Sequence, residues 1–244
     1  MKVLATMVNG QVVIPCYNEF NNLGKLFEEC CQVVELSKGR IGFIIVDNGS
    51  TDQTPIFAES HQYTNSEIKF IRVSLNQGYG GGIHVGLNES TAGIIGWTHA
   101  DLQTPLIDCL YGLELFGQGH SFIKGKRKGR LFFDRIFSNG MGLFESLLFR
   151  TTLVEINAQP TLFSRDLYEQ WGEVPTDFSL DLYAYLLAKR LGYSIKRFDV
   201  TFKKRQHGIS SWNTTWKSKF RFIRRTIRYS FELKAGFGGV NRSS

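Results

Sequence analysis

A His-Ala-Asp-Leu-Gln segment, His99–Gln103, carries the side chains of this 244-residue sequence best suited to holding a metal ion. Carboxylates bind hard cations such as Mg²⁺ and Mn²⁺. We expect Asp101 to be the principal ligand, assisted by Gln103. His99 either binds the metal, which favours Mn²⁺, or contacts ribose or phosphate, or is a buried histidine at a strand end without a ligand.

Four polar segments, including this one, each follow a stretch that predicts a β-strand. The predicted strands are Gln11–Pro15, which the proline stops, Gly42–Val46, Ile68–Val73 and Ile94–Thr98. Predicted helices alternate with them: one with Leu23, Leu26, Phe27, Cys30 and Val34 at helical spacing, one at Thr51–Ser60, and one from about Gly81. This alternation predicts an α/β fold with a mostly parallel sheet, in which ligands bind at the carboxyl ends of the strands. The polar segments at those ends are Asn18–Glu19, Asp47–Ser50, Asn76–Gly82 and Asp101.

The second half of the sequence has a less regular pattern. It predicts helices over Arg130–Arg150, Leu180–Leu191 and Trp212–Leu233, and a strand over Ser194–Phe202. The last helix is basic, and its apolar residues recur at steps of three and four: Trp216, Phe220, Ile223, Ile227 and Phe231. Such a stripe beside arginines suits a helix at an anionic membrane surface, although it could instead pack on the protein's own core. We therefore divide the chain into an α/β domain, 1–210, and a basic amphipathic segment, 211–244.

The glycine-rich segment Asn76–Gly82 differs from the dinucleotide-binding fingerprint. That fingerprint needs three glycines at fixed offsets after the first strand, whereas here Ile83 stands at the third offset and the segment follows the third strand. We interpret Gly78 and Gly80 as positions where the backbone approaches a nucleotide closely. The alternative is an ordinary flexible turn.

Five motifs in order resemble those of glycosyltransferase family 2: VVIPCYNE (Val12–Glu19), IIVDNGSTDQT (Ile44–Thr54), NQGYGGG (Asn76–Gly82), HADLQ (His99–Gln103) and the late RxxGxSxW pattern (Arg205–Trp212). The resemblance implies a GT-A fold, meaning a Rossmann-like nucleotide-binding domain. It also implies an inverting transfer from a nucleotide-diphosphate sugar, with Mg²⁺ or Mn²⁺ as cofactor. Related enzymes include bacterial cell-surface polysaccharide transferases and dolichyl-phosphate mannose synthase-like enzymes.

The resemblance also assigns roles to residues at the predicted strand ends. Asp47 would face the base, and Asn48 stands where a second aspartate is commoner, so it adds hydrogen bonds but no charge. The expected nucleotide-binding residues are Pro15, Tyr17, Glu19, Asp47, Asn48, Ser50, Gly78 and Gly80. The alternative for Asp47–Ser50 is a plain turn with a helix cap at Ser50 or Thr51.

The expected acceptor side lies in the second half of the chain. Asp181, at the start of a predicted helix, matches the family's acidic acceptor-side residue, where a general base is expected; the alternative is a favourable charge at a helix N-terminus. A phosphate acceptor is already ionised and requires no base. The residues expected to hold diphosphate or an acceptor phosphate are Lys124, Lys126, Arg127, Arg205, Ser210 and Trp212.

Composition narrows the class of partner. Lys and Arg number 29 against 22 Asp and Glu, a net charge of +7, and the basic runs lie late in the chain, which suggests specific anionic sites. The motifs of nucleic-acid readers are missing, so we expect no nucleic acid partner. The four cysteines lack metal-ligand spacing and suit a reducing cytoplasm, and no run is apolar enough to span a membrane. We therefore expect a cytoplasmic protein, peripheral at the inner face of the membrane.

Three functions remain to be weighed. The first is sugar transfer to a polyprenyl-phosphate, lipid-linked or glycan acceptor in cell-surface polysaccharide biosynthesis. The second is a nucleotide-sugar-binding protein that has lost catalysis, since His99 replaces the commoner aspartate. The third is a basic nucleic-acid-binding module. Turnover of a donor with metal separates the first two, and salt-dependent DNA binding tests the third.

Overall fold

A computed structural model describes residues 10–117, 120–129, 132–203, 205 and 216–240, without the side chains of 132–137, 216–222 and 236–240. The described residues form a seven-stranded sheet with the order β3-β2-β1-β4-β6-β5-β7. Only β6 runs antiparallel to its neighbours, so the mostly parallel α/β fold is confirmed. The strands are β1 Gly10–Cys16, β2 Ile41–Asn48, β3 Ile68–Val73, β4 Ile94–Trp97, β5 Ser121–Lys128, β6 Thr161–Ser164 and β7 Ser194–Thr201.

Helices cover both faces of the sheet and divide the apolar core in two. One core lies between the sheet and the helices that include Leu23 and Leu110, and the other lies against the helices that include Leu87 and Leu186. Strand β2 is buried along its whole length because it is covered on both faces. The helices are α1 Phe20–Leu36, α2 Thr54–His61, α3 Gly78–Glu89, α4 Ile107–Glu114, α5 Phe132–Phe149, α6 Arg165–Glu169, α7 Leu180–Arg190 and α8 Trp216–Val240.

Two boundaries differ from the sequence predictions. Strand β1 continues past Pro15 to Cys16, because its pairing with β4 ends at Val13 and the proline nitrogen faces no strand on that side. Helix α3 begins at Gly78 rather than near Gly81, so the glycine-rich segment is the first turn of a helix.

Strands β5 and β6 were not predicted. The basic run from Lys124 lies largely within β5, where Ser121–Gly125 are buried. Strand β6 has only four residues and reverses direction in the sheet. Since β5 and β7 run parallel to each other and in the direction of β4, their carboxyl ends reach the same edge as those of β1 and β2.

The described part of the C-terminal segment is α8. It packs on the domain through Ser230, which is fully buried, and through Leu233, which contacts the second core. The predicted apolar stripe does not coincide with the side of α8 that is buried on the domain. Ile223 and Ile227 are only half-buried, and Phe231 is 54% exposed although its ring contacts Phe144. Over the described residues, no helix has the length and apolarity needed to cross a bilayer.

Candidate active site

The loops after β1 and β2 are joined by hydrogen bonds at the carboxyl edge of the sheet. The Asn18 amide nitrogen donates to Ser50 Oγ at 2.9 Å, and Asn18 Oδ1 accepts from the Thr51 amide at 2.9 Å. Asn18 takes a positive φ of 55°, which brings its side chain to the neighbouring loop. Ser50 is therefore a buried link between the two loops.

The predicted nucleotide wall lies beside this link. Tyr17 is exposed and Pro15 is half-buried, so both have accessible surface at the carboxyl end of β1. Glu19 accepts a hydrogen bond from Asn22 Nδ2 at 2.5 Å, and burial raises the pKa of its carboxyl. These three residues thus lie together at one end of β1, as the sequence predicts.

Asp47 is almost fully buried at the end of β2. Its Oδ1 accepts a hydrogen bond from the Ser50 amide at 2.9 Å. Its Oδ2 lies 3.4 Å from Arg72 Nε and makes no hydrogen bond to any described residue. The turn with Ser50 is thus present, while the other carboxylate oxygen is buried beside Arg72, and its predicted contact with the base stays a prediction.

Asn48 anchors the glycine-rich segment to the end of β2. Its Nδ2 donates to the Gly78 carbonyl at 2.8 Å, and its Oδ1 accepts from the Gln77 amide at 3.1 Å. A Cβ on Gly82 would lie 2.9 Å from the Asn48 amide nitrogen. The structure therefore gives Asn48 a positioning role, and its predicted nucleotide contact stays a prediction.

Gly78 and Gly80 approach a loop of the protein itself. A Cβ on Gly78 would meet the Thr176 carbonyl oxygen at 2.4 Å, and one on Gly80 would meet the Pro175 carbonyl oxygen at 2.3 Å. Gly78 also takes a φ of +79°, which favours glycine. The close approach that the structure describes at both glycines is to the loop at Pro175–Asp177, and the predicted approach to a nucleotide stays a prediction.

Asp101 lies at the end of β4, paired with Arg205. Arg205 Nη2 is 2.7 Å from Asp101 Oδ2, and the Gln103 amide donates to Asp101 Oδ1 at 3.1 Å. Gln103 turns its side chain to the Lys203 carbonyl, to which Nε2 donates at 3.1 Å. Asp101 and Arg205, 104 positions apart in sequence, are thus brought together, and their predicted roles toward metal and phosphate stay predictions.

His99 is half-buried and belongs to a stack of three rings. Tyr79 stacks on Phe178 with centroids 4.4 Å apart, and its ring centroid lies 5.5 Å from that of His99. The stack connects the end of β4 with the glycine-rich helix and with the loop before α7. Whether His99 binds a metal stays a prediction.

The described residues hold no group of three or more His, Cys, Asp or Glu side chains that could bind a metal ion. Asp101 supplies a single carboxylate at the site. Mg²⁺ is commonly bound through one or two carboxylates together with substrate phosphates and waters. The described residues therefore do not form a preformed protein cage, and a cation held jointly with a diphosphate would have to share Asp101 with Arg205.

Asp181 is buried in a polar cluster under the site. Its Oδ1 accepts from Gln159 Nε2 at 2.9 Å and lies 3.5 Å from Lys124 Nζ, which donates to Thr161 Oγ1 at 2.7 Å. Lys124 is fully buried and Asp181 is 1% exposed. Burial lowers the pKa of Lys124 to about 8, against the opposing effect of Asp181.

This cluster extends to the glycine-rich helix through Tyr79. Gln159 Nε2 is 3.3 Å from the Tyr79 hydroxyl, and burial together with Asp181 raises the pKa of that phenol well above its usual value. Sequence reasoning missed Tyr79 and Gln159, and it took Lys124 for a phosphate ligand. A lysine directly after Phe122-Ile123 in an apolar stretch was the available signal of a buried charge.

The remaining basic residues lie at the end of β5. Lys126 is exposed, whereas Arg127 is largely buried, with its Nε 2.6 Å from Glu155 Oε2 and its guanidinium over the Phe202 ring. Ser210 and Trp212 lie outside the described residues. Arg127 is therefore committed to a carboxylate, and Lys126 keeps an exposed side chain at the carboxyl edge.

Proteins of similar sequence indicate the family of this chain. The sequence profile described as Glycosyl transferase family 2 matches residues 11–154. The uncharacterized glycosyltransferase YkcC of Bacillus subtilis (strain 168) is 27% identical over 127 residues, which span 51% of this chain and 39% of that protein. The undecaprenyl-phosphate 4-deoxy-4-formamido-L-arabinose transferase of Edwardsiella ictaluri (strain 93-146) is 28% identical over 120 residues, 49% of this chain and 37% of that protein. The chain thus spans less than two-fifths of the length of either relative.

Solved structures confirm the fold. Glucosyl-3-phosphoglycerate synthase from Mycobacterium tuberculosis, in complex with Mn²⁺, UDP-glucose and phosphoglyceric acid, aligns with a TM-score of 0.72 at 18% identity. The alignment covers 94% of this chain and 80% of that chain. At this identity the likeness shows the GT-A fold. Because the family profile matches more than half of the 244 residues, the chain belongs to glycosyltransferase family 2.

Proposed function

We propose that the protein is an inverting glycosyltransferase that takes a sugar from a nucleotide-diphosphate sugar. The observation that carries this proposal is the convergence of three buried aspartates, Asp47, Asp101 and Asp181, around one edge of the sheet in a family 2 chain. Buried carboxylates are costly unless they are bound, so such a cluster is typical of a functional site. In a site for diphosphate and metal, the negative charge of these aspartates would bind the metal ion or donor groups of the nucleotide.

The donor would lie across the ends of β1, β2 and β4. Asp47 Oδ2, which has no hydrogen bond to a described residue, would accept an N–H of the base, and the exposed ring of Tyr17 would contact the nucleotide. Asp101 would hold Mg²⁺ or Mn²⁺ together with the diphosphate, and the ion would supply charge stabilisation for the departing nucleotide. Arg205 and Lys126 would contribute positive charge near the phosphates. The Mn²⁺ and UDP-glucose complex of the mycobacterial synthase supports this arrangement.

We propose a phosphate on a lipid carrier, such as polyprenyl phosphate, as the acceptor. An inverting transfer needs an acceptor oxygen that attacks the sugar carbon opposite the leaving diphosphate. Asp181, the expected base, is buried and engaged by Gln159 and Lys124. A phosphate oxygen is already ionised and needs no base, so this acceptor suits the observed placement of Asp181. The undecaprenyl-phosphate transferase of Edwardsiella ictaluri points the same way.

A membrane-surface role for α8 accompanies this acceptor and would fit a step in cell-surface polysaccharide biosynthesis. Helix α8 carries exposed Arg224 and Arg228, and Phe231 is about half exposed. Each basic residue near an anionic surface contributes about 1 kcal/mol. Peripheral binding at the cytoplasmic face of a membrane is the location that this surface favours.

A thermal-shift panel tests the donor. UDP, GDP and dTDP, and their sugar conjugates, are added with Mn²⁺ or Mg²⁺, and a ligand at 100 times its Kd stabilises the fold by about 2.7 kcal/mol. Asp47→Ala is expected to weaken the binding of the preferred nucleotide by about 1.5–3 kcal/mol, because a hydrogen bond to a charged group is lost. Stabilisation by no nucleotide in the panel would overturn the proposal, and stabilisation without donor turnover would favour a nucleotide-sugar-binding protein that has lost catalysis.

Co-sedimentation with anionic vesicles tests the membrane surface. We expect the Arg224→Gln/Arg228→Gln variant to bind vesicles of phosphatidylglycerol and phosphatidylcholine more weakly than the wild type at low salt, by roughly tenfold or more for the two charges lost. Lys25→Gln/Lys38→Gln removes the same charge from exposed positions at the two ends of α1 and serves as the control. If neither the wild type nor the control binds, a soluble acceptor becomes the better proposal.

A further inference from the structure

The loop Pro175–Ser179 lies where α3, α7 and α8 meet. Its backbone packs so closely on the glycine-rich start of α3 that Gly78 and Gly80 leave no room for a Cβ. The Gly81 amide donates to the Thr176 carbonyl at 3.1 Å, which adds a hydrogen bond to this contact. The conformation of the loop is therefore coupled to the position of the glycine-rich segment.

One carboxylate in this loop connects α7 with α8. Asp177 Oδ1 accepts from the Ser179 amide at 2.8 Å, just before α7, and Asp177 Oδ2 lies 2.7 Å from Arg225 Nε on α8. The side chains are 25% and 50% exposed, so water and salt screen the pair. Such a pair contributes little to global stability, but it restricts where the loop can lie.

Phe178, the residue after Asp177, connects the loop to the end of β4 through two ring contacts. Phe178 stacks on Tyr79, and Tyr79 stacks on His99, two residues before Asp101. Movement of the loop would thus displace residues at both the glycine-rich segment and the proposed diphosphate site. The path consists of direct contacts between described residues.

We propose that Asp177 and Arg225 are a positioning pair through which α8 holds the loop, and with it the glycine-rich segment, in the arrangement that binds a nucleoside diphosphate. This inference rests on the proposed donor site, and neither residue touches the donor itself. Because α8 also carries the proposed membrane surface, the pair would connect that surface to donor binding. Arg225 would then serve the donor site, while its neighbour Arg224 serves the surface alone.

The test is calorimetry with UDP and with GDP, each with Mn²⁺, on four variants of the full chain. Arg225→Gln and Asp177→Asn are each expected to raise Kd about three- to tenfold with thermal unfolding nearly unchanged, since the pair is exposed. Asn at 177 keeps an acceptor for the Ser179 amide. Arg225→Lys should recover part of the affinity, and Arg224→Gln should leave it unchanged.

Hydrogen exchange supplies a second readout that needs no ligand. Arg225→Gln should speed exchange of the Gly81 amide, which donates to the loop, while amides of β2 keep wild-type rates. Wild-type affinity and wild-type Gly81 exchange in Arg225→Gln would overturn the positioning pair, as would equal losses of affinity in Arg224→Gln. If the wild type binds neither nucleotide, the donor proposal fails, and this inference fails with it.

Discussion

At the scale of single residues, Asp101 is the side chain on which catalysis should depend most. We expect Asp101→Asn to lower kcat/KM roughly a hundredfold or more, because a neutral amide is a poor ligand for a hard cation that supplies several kcal/mol of charge stabilisation. The measurement is donor turnover at saturating Mn²⁺, with thermal unfolding to show that the fold persists. Turnover at the wild-type rate would remove Asp101 from the mechanism.

The pair of Lys124 and Asp181 allows a test of whether the two buried charges stabilise each other. Asp181→Asn leaves a buried lysine without its counter-charge, which costs on the order of 3–5 kcal/mol of unfolding free energy, less to the extent that Lys124 gives up its proton. We expect Lys124→Met/Asp181→Leu to be more stable than the sum of the effects of Lys124→Met and Asp181→Leu predicts. Denaturant unfolding of all four proteins measures this coupling, and strict additivity would show that the pair is not coupled.

The sequence predicted the residues that follow strands, because a short motif and its strand lie together in the chain. Asp47, Asp101 and Glu19 were placed at one edge of the sheet in this way. Contacts between residues from distant segments of the chain were harder to predict from the sequence. Lys124 and Gln159 meet Asp181 only through β5 and the start of β6, which the pattern did not predict.

At the scale of elements, continuous apolar runs and helical spacing predicted β1 to β4, α1 and α7 within a few residues. Strand β5 was not predicted because its carboxyl half is basic, and β6 was not predicted because four residues show little periodicity. The start of α3 escaped for a different reason. Glycine is a poor helix former, and packing of Gly80 against the Pro175 carbonyl overrides that preference.

Two glycines in helices give a matched test of that packing. Gly80→Ala is expected to destabilise the fold by about 1–3 kcal/mol, because its Cβ would lie 2.3 Å from the Pro175 carbonyl oxygen. Gly24→Ala in α1, where a Cβ meets nothing within 4 Å, should instead stabilise by about 0.5–1 kcal/mol. Denaturant midpoints measure both. Equal effects of the two substitutions would contradict the close approach at Gly80.

At the scale of the whole molecule, the basic and aromatic composition correctly predicted a long basic helix near the C-terminus. The side that it buries was not predictable, because apolar spacing alone cannot show which neighbour covers a helix. Ser230 and Leu233 face the domain, while Phe231 is about half exposed. The domain division at residue 210 and the membrane role of α8 stay predictions.

Packing of α8 on α5 should make the stability of the whole molecule depend on pH through Glu145. This carboxyl is buried on α5, and burial raises its pKa to about 7, with a hydrogen bond from Ser230 of α8 opposing the shift. A raised pKa means that the folded state binds the proton more tightly than the unfolded chain, whose pKa is near the ordinary 4.5. The associated stability is therefore complete below about pH 4.5 and is lost as the pH rises through about 7.

We accordingly expect Glu145→Gln to be more stable than the wild type at pH 8, by up to roughly 3 kcal/mol, because its neutral side chain needs no deprotonation inside the fold. The difference between the two proteins should shrink as the pH falls from 7 toward 5. Denaturant unfolding at several pH values measures it, with Glu59→Gln at an exposed position of α2 as the control. A difference independent of pH would show that Glu145 titrates alike in the folded and unfolded states, and α8 would then not shield it from water.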